Sequence, residues 1–312
     1  MTRQTPAKPS TGELPNPPAK ELVTNLASFK AFAADIKIAH SVFALPFAMS
    51  AFVIGHLPLP TVRQVLLLLT CMICARSFAM GMNRFLDRRI DRANPRTLSR
   101  KIPAGQLTAR QGFAWSALAG ALLIAAAFAL SPLAGYCAPP LLAILATYSL
   151  MKHLTWLTHW YLGLCLGLAP VAVTVAMTGT APISVLLVGL GVCLWTAGFD
   201  VLYALQDREF DVQHGLHSVP RHFGPAVTLR VSRICFAIMI ASLALAGHLA
   251  AMGPYYYAGI ALITALLIYE HVLVRDARID GQSRHLNLAF FNMNAYVSVV
   301  YFVFTALDAY LW

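Results

Sequence analysis

Charge is scarce in this chain. Only 12% of its 312 residues are Asp, Glu, Lys or Arg, against roughly a quarter in a soluble domain. So little polar surface cannot cover a water-soluble globule, which excludes a soluble enzyme or binding module. Acids are scarcer still, 13 against 23 Lys and Arg. No series of short alternating strands is present, which excludes a membrane β-barrel. No GxxxxGK[ST] loop occurs, so phosphate handling of the P-loop kind is not indicated. The six cysteines form no ligand framework: Cys71 and Cys74 have C-x-x-C spacing, but they sit inside an apolar run with no second pair. They read as small membrane-core residues. Residues 1–28 are polar and Pro-rich with no apolar h-region, so they do not read as a cleaved signal peptide.

Apolar residues, by contrast, make up 58% of the chain. Several runs reach the roughly 20 residues that a membrane-crossing helix needs. The expected spans are 33–55, 62–86, 111–131, 135–151, 157–178, 183–206, 230–251, 254–274 and 288–310. The expected fold is therefore all-α and polytopic, with about nine transmembrane helices. Residues 1–28 form a disordered cytoplasmic tail in this reading, and 29–312 form one transmembrane domain. Basic residues alternate between connections. Arg84, Arg88, Arg89, Arg92, Arg96, Arg100, Lys101 and Arg110 crowd the connection after span two, whereas 131–136 and 178–183 carry none. That alternation puts the N-terminus in the cytoplasm and the C-terminus outside. The net charge of +10 is thereby explained by topology and anionic ligands, without nucleic acid.

Two acidic stripes carry the chemistry. Asn83, Asp87 and Asp91 end span two at a spacing of four, so on a helix they share one face. Tyr203, Asp207 and Asp211 end span six in the same pattern, about 120 residues later, and Asp200 lies one turn before Tyr203. The offset suggests two pseudo-repeated four-helix halves plus one helix. Stacked carboxylates repel unless a cation lies between them. Oxygen-only ligands select a hard cation such as Mg²⁺, which is commonly held by one or two carboxylates together with substrate phosphates. Asn83, Asp87, Asp91, Asp207 and Asp211 are the candidate metal ligands. Asp87, Asp91, Asp200, Asp207 and Asp211 are the candidate catalytic acids. An ionisable residue as deep as Asp200 is costly in a membrane and so marks function.

Cations surround these acids. Arg96, Arg100 and Lys101 follow the first stripe, where they serve either positive-inside topology or a departing diphosphate. Lys152, four residues after Tyr148 at the end of span four, either snorkels or reaches the same anion. Arg76 lies two turns before Asn83 on the same face. A buried guanidinium needs a partner, either an acid of the site or an acceptor carboxylate gripped bidentately. Lys37 near the start of span one is a further substrate-binding candidate. His40 and Glu270-His271 read first as structural polar residues.

These segments resemble the UbiA superfamily of intramembrane prenyltransferases over nearly the whole chain after residue 30. NRFLDRRIDRANPRTLSRKIPAG is similar to its first motif and loop, DVLYALQDREFDVQHGLHSVPRHFG to its second, and Tyr148-x-x-x-Lys152 to a shorter third. IKIAHSVFALPFA and HGLHSVP resemble the 4-hydroxybenzoate polyprenyltransferase-like branch, though Ala39 stands where an acid would be expected. The resemblance implies helices around a central cavity open to lipid, in a bacterial cytoplasmic membrane. It implies Mg²⁺-dependent transfer of a polyprenyl group from its diphosphate to an aromatic acid, in quinone synthesis. Asn83, Asp87 and Asp91 would take one Mg²⁺–diphosphate contact and Asp207 and Asp211 the other, with Asp200 and Tyr203 nearby. Lys152, Arg96 and Arg100 would touch phosphate. A naphthoate acceptor of menaquinone synthesis keeps the same chemistry. A haem, chlorophyllide or lipid alcohol would keep the fold. A cation-coupled transporter is the reading from another class, although transporters place their acids in broken helices near the midplane.

Overall fold

The computed structural model describes the backbone of residues 25–36, 45–280 and 283–312, and the side chains of 26–36, 45–273 and 293–312. Lys37, His40 and residues 1–24 lie outside the described residues. Among those described, the regular structure is entirely helical. In chain order the helices are α1 (Asn25–Asp35), α2 (Leu45–Ile54), α3 (Val62–Leu86), α4 (Arg88–Ala93), α5 (Ala109–Leu130) and α6 (Pro132–Leu154). They continue as α7 (Thr158–Thr178), α8 (Ile183–Tyr203), α9 (Arg208–His214), α10 (Val219–Leu249), α11 (Pro254–Asp280) and α12 (Ser283–Leu311).

Among the described residues, eight helices are long and apolar enough to cross a membrane: α3, α5, α6, α7, α8, α10, α11 and α12. The chain is an integral membrane protein. Of the expected first span, 33–55, the described helical part is the end of α1 and the short, mostly apolar, ten-residue α2. The seventh span starts earlier than expected, at Val219. It is interrupted at Gly224, where φ is 74° and ψ 173° before Pro225, whose nitrogen cannot donate a helical hydrogen bond.

Local sequence sets the helix ends. Thr61 and Thr108 start α3 and α5 through capping boxes with Gln64 and Gln111, which satisfy amide groups that a helix start otherwise leaves unpaired. Ser131 caps α6, with Pro132 in its first turn. The halves anticipated from the repeat are visible in the packing. α3 lies along α5 in the first half and α8 along α10 in the second. A short helix follows each motif-bearing span, α4 after α3 and α9 after α8.

Apolar burial does little to join helices inside lipid, so close packing has to. The approach of α7 to α8 depends on glycine. A Cβ on Gly167 would lie 2.4 Å from the Gly189 carbonyl oxygen, and one on Gly163 would strike the Cys193 carbonyl. Trp195 of α8 is fully buried, packed against Phe47 of α2 with ring centroids 5.2 Å apart. Asp308 of α12 accepts from the Gly253 and Tyr256 amides at 2.6 and 3.0 Å, satisfying donors at the start of α11. This frame brings the ends of α3, α6 and α8 and the starts of α7 and α10 to one side of the molecule, where they enclose a cavity.

Candidate active site

The cavity has a volume of about 240 Å³. Asn83, Asp87, Asp91, Arg96, Arg100, Tyr148, Lys152, Asp200, Tyr203, Asp207 and Asp211, all candidates from the sequence, line it together. Arg76 is not among its lining residues. That guanidinium is half-buried on α3, and its Nε is buried without a hydrogen-bond partner.

On the first motif the spacing of four survives a helix break. Asp87 ends α3 and begins α4, yet its amide still donates to the Asn83 carbonyl and the Asp91 amide to the Asp87 carbonyl. Lys152 Nζ donates to Asp87 Oδ2 at 2.6 Å, and Asn83 Nδ2 donates to the same oxygen at 2.8 Å. Asp87 Oδ1 is buried with no partner. Burial pushes the Asp87 carboxyl above the usual carboxylate range, against the pull of the Lys152 ammonium. Arg100 Nη1 donates to both Asp91 oxygens at 2.7 Å. The Asn83 side chain is also tied down: its Oδ1 accepts from Arg84 Nη1 at 2.7 Å, and its Nδ2 reaches Ser149 Oγ at 3.0 Å. Oriented so, Asn83 holds Asp87 in place and turns its oxygen toward Arg84.

On the second motif the expected continuous helix gives way to a 3-10 turn, Ala204–Asp207, before α9. Its tighter winding, three residues per turn, rotates Asp207 relative to an α-helical stripe. The partner of Asp207 comes from the other half. Asn94 Oδ1 accepts from the Arg96 amide at 2.9 Å, a local turn of the kind Asn-Pro favours. That turn sends Arg96 across the cavity, where Nε and Nη2 donate to the two oxygens of Asp207 at 2.9 and 2.6 Å. Arg96 Nη1 also donates to the Tyr203 hydroxyl at 3.1 Å. After α9, Gly215 adopts φ 71°, a left-handed conformation that favours glycine. The chain then doubles back, and Ser218 Oγ donates to Asp211 Oδ2 at 2.7 Å.

The lining holds five carboxylates against three cationic side chains, Lys152, Arg96 and Arg100, a net of minus two. Among the described residues no three His, Cys, Asp or Glu side chains converge as a ready-made metal cage. A cation here would meet one or two carboxylates and complete its shell with ligand oxygens, the usual arrangement for Mg²⁺.

The sequence reading missed His159, Ser149, Asn94 and Ser218. His159, at the start of α7, lies 2.7 Å through Nδ1 from Asp200 Oδ2. Its one available signal was a polar residue at the basic end of an apolar span. A second cavity, apolar and about 340 Å³, lies between α3, α5, α6 and α7. Its lining includes Leu145 on α6 and Cys165 on α7, each one turn from residues of the polar cavity.

The family model of the UbiA prenyltransferase family matches residues 44–294. A protein from Nitrosococcus oceani named 4-hydroxybenzoate octaprenyltransferase is 30% identical over 78% of this chain and 83% of its own length. One of the same name from Aromatoleum aromaticum is 26% identical over 80% and 83%. The ligand-free structure of a UbiA homologue from Aeropyrum pernix superposes with a TM-score of 0.78 at 30% identity, covering 87% of this chain and 98% of that one. A UbiA homologue from Archaeoglobus fulgidus bound to DMAPP and Mg²⁺ shares the fold with a TM-score of 0.65 at 20% identity, over 88% and 99%.

Proposed function

The chain belongs to the UbiA prenyltransferase family, and from that premise we propose that it transfers a polyprenyl group from its diphosphate to the ring of an aromatic hydroxy acid of the 4-hydroxybenzoate type. The observation that carries this is the single cavity in which acid clusters from both halves lie beside three cationic side chains. Curated relatives are named 4-hydroxybenzoate octaprenyltransferase, and the homologue bound to DMAPP and Mg²⁺ has the same fold.

The donor set suits Mg²⁺. It is oxygen-only, it carries a net negative charge, and it includes the unpartnered Asp87 Oδ1. Asp87 and Asp91 would hold one ion and Asp207 and Asp211 the other, with Asn83 steadying Asp87. When bound, Mg²⁺ neutralises diphosphate oxygens and stabilises the leaving group. Lys152, Arg96 and Arg100 neutralise the acids in the resting protein. With a cation held at the carboxylates, these three side chains would be free to donate to the diphosphate oxygens. The allylic C–O bond breaks with its electron pair going to the diphosphate. The ring carbon ortho to the acceptor hydroxyl forms the new C–C bond, and the proton on that carbon passes to the departed diphosphate as the ring regains its aromaticity. Asp200, on the cavity wall, takes the acceptor's hydroxyl proton and returns it. Arg76 lines neither the polar nor the apolar cavity, so no acceptor contact is assigned to it. Lys37 remains a substrate-binding candidate on charge alone. The apolar cavity beginning one turn below Tyr148 gives the polyprenyl chain a water-free path. The alternation of basic loops supports a site on the cytoplasmic side, with the N-terminus inside and the C-terminus outside, and the bacterial relatives support a bacterial inner membrane.

The test is transfer by purified protein in lipid with Mg²⁺ and labelled polyprenyl diphosphate. 4-Hydroxybenzoate and 1,4-dihydroxy-6-naphthoate are supplied in parallel. Prenylated 4-hydroxybenzoate, reduced at least about 100-fold in Asp207→Asn, is the expected result. Product from the naphthoate alone would move the protein to menaquinone synthesis. Product from neither would refute the aromatic reading.

A further inference from the structure

One buried pair at this cavity belongs to neither metal-binding stripe. His159 is 2% exposed. Its Nδ1 lies 2.7 Å from Asp200 Oδ2, and its Nε2 accepts the Val219 amide at 3.3 Å. The second contact decides the first. A ring nitrogen that accepts an N–H carries no proton, so in neutral imidazole the proton sits on the other nitrogen. Nδ1–H is therefore the donor and Asp200 Oδ2 the acceptor. With both nitrogens engaged and the ring buried, His159 cannot itself meet a substrate. Asp200 can. Its side chain is 26% exposed on the cavity wall, and among the described residues its Oδ1 takes no hydrogen bond. The anchor is also well placed. Val219 is the first residue of α10, and the neighbouring Ser218 binds Asp211. The same corner that fixes the second acid stripe thus fixes His159.

We propose that His159 is a positioning residue for Asp200, held by the Val219 amide so that Asp200 Oδ1 faces the aromatic acceptor as an ionised proton acceptor. The inference rests on the aromatic-acceptor reading above. The proton moves from the acceptor hydroxyl to Asp200 Oδ1 and returns to the acceptor oxygen after the C–C bond has formed and the ring proton has passed to the departed diphosphate. His159 keeps its own proton throughout. A neutral donor on Oδ2 leaves Asp200 ionised without placing a competing cation beside the Mg²⁺–diphosphate. It also locks the carboxylate rotamer, as an outer partner does for a catalytic or metal-binding group.

Three variants test this in purified protein, with separate measurements of transfer and of Mg²⁺-dependent binding of the allylic diphosphate. His159→Ala removes the donor. His159→Asn puts an amide N–H near the place of Nδ1, and His159→Gln puts one near the place of Nε2. The expected result for His159→Ala is a fall in kcat of about 10- to 100-fold, with diphosphate affinity unchanged within about twofold. His159→Asn recovers most of the loss and His159→Gln does not. A ring-fluorinated 4-hydroxybenzoate adds a second readout. Its more acidic hydroxyl needs less help from a base, so the ratio of wild-type to His159→Ala rates shrinks. A purely structural role would lower rates for both acceptors equally and would not separate Asn from Gln. The proposal is overturned if His159→Ala keeps its kcat, if the loss lies in diphosphate binding, or if Asn and Gln behave alike. If His159→Ala does not fold, the Asn and Gln variants decide alone. A wild-type protein that binds allylic diphosphate but prenylates no aromatic acid sinks the reading beneath this inference, and the inference with it.

Discussion

Lys152→Met keeps the aliphatic stem of the side chain and deletes its charge. In the resting protein that charge sits 2.6 Å from Asp87 Oδ2, on a carboxylate whose side chain is 2% exposed. The other oxygen of Asp87 already lacks a partner. Removing one member of a fully buried ion pair costs about 3–5 kcal/mol. The Lys152 side chain is 25% exposed, so water screens part of the interaction, and a loss of about 2 kcal/mol is expected. A divalent cation at Asp87 replaces the missing charge. Mg²⁺ should therefore stabilise the variant more than the wild type, and the gap should close as the ion is added. Thermal unfolding in detergent reads both effects. At roughly 2–4 °C per kcal/mol for a chain of this size class, the metal-free variant melts about 4–8 °C lower. Asp87→Asn should remove most of the penalty, so the double variant loses little beyond Asp87→Asn alone. Equal melting of Lys152→Met and wild type without Mg²⁺, or equal gains on adding it, would refute the reasoning.

Other consequences follow from the same geometry. Burial raises the Asp87 carboxyl, and Mg²⁺ needs the ionised form. Mg²⁺ affinity, followed by calorimetry, should therefore weaken as pH falls, beginning above the ordinary carboxylate range and recovering as pH rises. The same shift means that ionising Asp87 costs metal-free stability as pH climbs through its folded value, so the apo protein gains from this group on acidification while the Mg²⁺ complex does not. Gly167→Ala places a Cβ 2.4 Å from the Gly189 oxygen. It should cost about 1–3 kcal/mol, seen as a lower melting temperature in detergent. Asp308→Asn weakens two buried acceptor contacts at the start of α11. It should cost about 1–3 kcal/mol while leaving kcat within twofold, because no substrate-facing group is involved.

The acidic stripes were legible in the sequence because helical spacing is a local property. Asn83, Asp87 and Asp91 stay on one face even across the break between α3 and α4. The spans were legible because hydropathy is local too. What connects the halves was not. The Arg96–Asp207 bridge joins residues 111 positions apart and depends on the turn at Asn94. His159 meets Asp200 across 41 positions, and in one dimension it was a lone histidine in an apolar helix. The 3-10 turn Ala204–Asp207 packs against α9 and α10, and the helical periodicity of the motif does not record it. Arg76 shows the converse. Its spacing puts it on the helical face of Asn83, yet that shared face does not make it part of the cavity wall.

The central claim is that the two acid stripes act as one site, each contributing to a shared Mg²⁺–diphosphate. The most direct measurement is calorimetric titration of an allylic diphosphate with Mg²⁺ into wild type, Asp87→Asn, Asp207→Asn and the double variant. The account predicts that either single change weakens binding nearly as much as both together, because residues that act on one ligand are not additive. Wild-type affinity in either single variant, or losses that simply add, would contradict it.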